Sequence, residues 1–106
     1  MDERLSGVLT EIRSLLAVPA DAERPSRAVV EEMLTNGYAY ALALEGERLR
    51  TEERLRTTLR TRTGVKLSVR EEEIAELTEH LEDTDRELAG VRALLSSLRA
   101  QALETL

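Results

Sequence analysis

The sequence predicts an all-α protein: a short N-terminal helix packed on a long antiparallel helical hairpin, coiled-coil-like in its packing and expected to be dimeric. Three observations carry this. Residues 38–44, YAYALAL, are seven apolar residues in a row inside a long helical pattern, and a helix that is apolar all round needs cover on more than one side. Between residues 74 and 105 apolar side chains recur in heptads. Charge is segregated along the chain, with six cations and no acid in 54–70, then nine acids and one arginine in 71–87.

The first helix is expected over about 2–18. Leu5, Val8, Leu9, Ile12, Leu15 and Leu16 recur at the spacing of one helical face, Asp2 and Glu3 complement its positive end, and Pro19 stops it. The stretch 19–25, PADAERP, is too short and proline-rich for another element.

The second helix is expected from about Ser26 to Arg62. Its first stripe is Val30, Leu34, Tyr38, Ala41, Leu44, Leu55 and Leu59; a second, Val29, Met33, Tyr40 and Ala43, covers only the first half. The alternation of Tyr38, Tyr40, Leu42 and Leu44 has a strand's period, but the intervening alanines are strong helix formers and poor strand formers. Gly37 reads as a helix glycine that lets a neighbouring helix come close, at a cost of roughly 1 kcal/mol relative to Ala. Tyr38 and Tyr40 lie about 200° apart around the axis, so one partner cannot cover both. The second stripe matches the first helix in length, which points to that helix folding back on this half.

Gly64 reads as the C-terminal stop of the second helix, and Ser68 with Glu71 as a capping box opening the third, over about 69–104. In the third helix Ile74, Leu81, Leu88, Leu95 and Ala102 take a positions. Leu77, Thr84, Val91, Leu98 and Thr105 take d positions.

Folding the third helix back on the second about residue 66 makes facing residue numbers sum to roughly 132, with arms of roughly 54 Å. Leu59 then faces Ile74, Leu55 faces Leu77, Leu44 faces Leu88 and Ala41 faces Val91, while Tyr38 meets Leu94 and Leu95. The same register sets Arg60 near Glu72, Arg56 near Glu76 and Arg50 near Glu82. The expected packing or interface residues are therefore Met33, Tyr38, Tyr40, Leu44, Leu55, Ile74, Leu77, Leu81, Leu88, Val91, Leu95 and Leu98.

The function classes narrow by composition. The 106 residues suit one helical domain; charged residues make up 34% and aromatics 2%, too few aromatics for a thick globular core. A net charge of −6 argues against general nucleic-acid or anionic-membrane binding. The N-terminus lacks a basic region and a long apolar core, so no signal peptide is expected, and no apolar run is long enough to span a bilayer. With no cysteine, disulfides and thiol catalysis are excluded and a reducing, cytoplasmic setting fits.

Candidate chemistry is sparse. His80 is the only histidine, and Leu81 follows it where a helical phosphoacceptor motif usually has an acid, so it reads as a solvated coiled-coil flank. One histidine makes no histidine-pair metal site, the acids lack a calcium-loop pattern, and no phosphate loop or nucleophile elbow occurs. No enzyme activity, cofactor or metal is expected. Arg54, Arg56, Arg60, Arg62 and Lys66, with Arg70, are the one basic constellation that would suit a polyanion. No aromatic is interleaved for base stacking. The expectation is a non-enzymatic interaction or regulatory module with a protein partner and a second copy of itself. A nucleic-acid-associated protein using the arginine-rich tip is the alternative.

Overall fold

A computed structural model describes residues 3–18, 25–60 and 67–104. Among them the chain forms three α-helices and no strand: α1 (Glu3–Leu16), α2 (Arg27–Arg60) and α3 (Leu67–Glu104). Gly64 and most of the 19–25 connector lie outside the described residues.

The helix starts follow local chemistry. Ser26 caps α2: its Oγ accepts from the Val29 N–H at 3.3 Å, and its carbonyl takes the first helical bond from Val30 at 3.1 Å. A side-chain acceptor at that point satisfies one of the donors a helix start leaves orphaned. At the other end of α1, Ala17 N donates to Arg13 O at 3.0 Å, closing the last turn. The expected capping box of α3 is corrected. That helix already includes Leu67, so Ser68 lies inside the first turn rather than ahead of it.

The helices form two compact units, one made of Met1–Leu42 with Ala89–Leu106, the other of Ala43–Leu88. In the first unit α1 packs on the α2–α3 pair. Ile12, Val30 and Leu98 are fully buried at its centre, and Val8, Leu15, Leu16, Met33, Leu34, Leu94 and Ala102 pack around them. Ile12 belongs to the predicted apolar face of α1, and Val30 and Leu98 to the predicted seam. Tyr40, Ala41, Val91 and Leu95 are buried in the same unit.

Tyr38 departs from expectation. It is 46% exposed, whereas Tyr40 is 1% exposed. The seam position is taken by Gly37. A Cβ built there would run into Leu95 Cδ2 and come within 3.1 Å of Ile12 Cδ1, so α1 and α3 occupy the space a side chain would need. Tyr38, one residue on and about 100° around the axis, is turned outward. Val29 and Leu59 were also expected to be covered, and both are exposed.

The second unit is a two-helix segment. Leu44, Leu77 and Leu88 are buried; Leu55, Ile74 and Leu81 are partly so. Thr51 and Thr84 are buried with them. Each hydroxyl donates to a carbonyl one turn back in its own helix, Thr51 to Glu47 at 3.0 Å and Thr84 to His80 at 2.9 Å. Their polar atoms are thereby satisfied without a partner across the seam.

Burial follows the a/d heptads of α3 throughout its described residues. It also reveals a heptad on α2, with Leu34, Ala41, Arg48 and Leu55 at a and Val30, Gly37, Leu44, Thr51 and Thr58 at d, all buried or partly buried.

Candidate interaction face and the polar cross-links of the hairpin

Within the second unit, α2 and α3 are linked by polar side chains in the predicted antiparallel register. Arg48 Nε donates to Asp85 Oδ1 at 2.6 Å, and Arg48 Nη1 lies 3.0 Å from Glu52 Oε1 on the next turn of α2. The residue before it, Glu47, places Oε1 3.0 Å from His80 Nε2. Thr58 Oγ1 lies 3.5 Å from Glu73 Oε1. The hydrogen bond to Asp85 raises the Arg48 pKa above its ordinary value, with the charges of Asp85 and Glu52 adding to it. Arg48 is therefore charged at any working pH. Its contribution would be lost only as pH rises through that raised value.

The particular charge pairs expected from the sequence are not the ones formed. Among the described residues no ion pair joins Arg60 to Glu72, Arg56 to Glu76 or Arg50 to Glu82; Arg56 turns instead to Glu53, 3.5 Å away on its own helix. On α3 Arg86 likewise pairs with Asp83. Residues three or four apart on a helix are neighbours, so a long arginine side chain finds a local carboxylate as readily as a distant one.

The arginine-rich tip is only partly described. Arg54, Arg56 and Arg60 are exposed, while Arg62 and Lys66 lie outside the described residues. Arg70 is used structurally. Its Nη2 donates to Leu59 O at 2.5 Å, in the last described turn of α2. The Nε of the same side chain is shielded from solvent and has no hydrogen-bond partner among the described residues.

His80 is held beside Glu47 on an exposed flank, as its solvated reading requires. Among the described residues no three His, Cys, Asp or Glu side chains are gathered as a metal site, and no helix is long and apolar enough to cross a membrane.

Among the described residues, large apolar side chains are left exposed on α2 (Val29, Tyr38, Leu42, Leu49 and Leu59) and on α3 (Val69 and Leu103). Leu42 is 69% exposed and Leu49 63%, and Tyr38 joins them. At 100° per residue Tyr38 and Leu42, both in the first unit, lie about 40° apart around α2. Sequence reasoning did not single out this face. Tyr38 was assigned to the hairpin seam, and Leu42 was read as part of a run apolar on every side. The signal that would have found it is Gly37, which claims the seam and so turns Tyr38 and Leu42 to the outside.

No family profile, curated protein or solved structure matches this chain.

Proposed function

We propose that this protein is a non-enzymatic, regulatory interaction module of the cytoplasm, which recognises protein partners through coiled-coil-like helix packing. The observation that carries the reading is the exposed pair Tyr38 and Leu42, one turn apart on α2 in the first unit. Single exposed leucines are ordinary on a protein surface. Two large apolar side chains four residues apart on one helix are the form in which a helix offers itself to another helix.

Affinity capture from the native host, with the wild-type chain and a Leu42→Glu variant as parallel baits, tests the proposal. A partner retained by the first and lost by the second is expected. Equal recovery by both baits would remove this face from the function.

The second reading, polyanion binding at the tip, draws on the exposure of Arg54, Arg56 and Arg60. It is the weaker one, because Arg56 is engaged by Glu53 and Arg70 by the Leu59 carbonyl. Duplex binding that falls steeply with salt would favour it, because each phosphate contact releases counterions.

A further inference from the structure

We draw no further inference here: the strongest candidate, the exposed apolar surface patch of Tyr38 and Leu42 on α2 of the first unit, carries nothing beyond the reading above, because nothing in the structure shows what covers it.

Discussion

The two compact units are built from the same two long helices yet are held together differently. In the unit that includes α1, three side chains (Ile12, Val30 and Leu98) are removed completely from solvent, and the centre is aliphatic. In the unit formed by 43–88 Leu44 is fully buried as well, but two threonines stand among the buried seam positions, and the a position at 48 is an arginine. A third helix makes the difference. Two helices alone bury one stripe each, and a threonine can stand in that stripe at little cost because its hydroxyl bonds its own helix. Stability should therefore be concentrated in the first unit, and specificity of alignment in the second.

Leu98→Ala should break the comparison most severely. It removes a fully buried side chain from the centre of the three-helix unit and should cost about 2–5 kcal/mol in urea unfolding followed by circular dichroism. Leu81→Ala, at a half-buried position of the two-helix unit, should cost clearly less. Equal losses would show that the two units share one cooperative core.

Next in size is Gly37→Ala. The added methyl meets Leu95 and Ile12, and overpacking of this kind costs about 1–3 kcal/mol, offset in part by roughly 1 kcal/mol of helix propensity. Gly90→Ala is the control. Nothing lies within 4 Å of its added Cβ, so the variant should be more stable by roughly 1 kcal/mol. A gain at both positions would show that α3 approaches α2 less closely at residue 37 than described.

Smaller still is the joint change of Thr51 and Thr84 to valine. Each hydroxyl is bonded only to its own helix, whose carbonyl keeps its helical N–H partner, so the second unit should gain about 1 kcal/mol. A loss would reveal a polar partner for one of the hydroxyls. The smallest effect belongs to Arg48 and Asp85. Reversing either charge should lower the melting temperature slightly at low salt, and exchanging the two should restore it. Cysteines at 55 and 77 should meanwhile bridge within one chain, because Leu55 and Leu77 share this seam.

Much of this was legible in the residues. Helix periodicity, Pro19, and Ser26 ahead of Arg27 placed the helices to within a few residues, and the α3 heptad identified its buried face through Leu98. The face of α2 was harder, for a physical reason. Its seam runs through Gly37, Arg48, Thr51 and Thr58, none of which registers as apolar, while Tyr38 beside them does. A glycine marks a seam by what its neighbours can do, and that is visible only when the neighbours are in place. The charge pairs failed differently. The register was sound, as Arg48–Asp85 shows, but a long flexible side chain such as Arg56 has carboxylates on its own helix within reach.

The bond from Arg70 to the Leu59 carbonyl has a consequence for how the hairpin opens. Helix ends fray one residue at a time, and the last turn of α2 would ordinarily do so independently of α3. Here a guanidinium from the first turns of α3 holds the backbone of α2 near its end, so the two ends are expected to loosen together. Amide hydrogen exchange would register this as similar protection in both end segments, set by one shared opening. With Arg70 changed to alanine, exchange near Leu59 and Arg60 should quicken while the amides around Leu77 keep their rates.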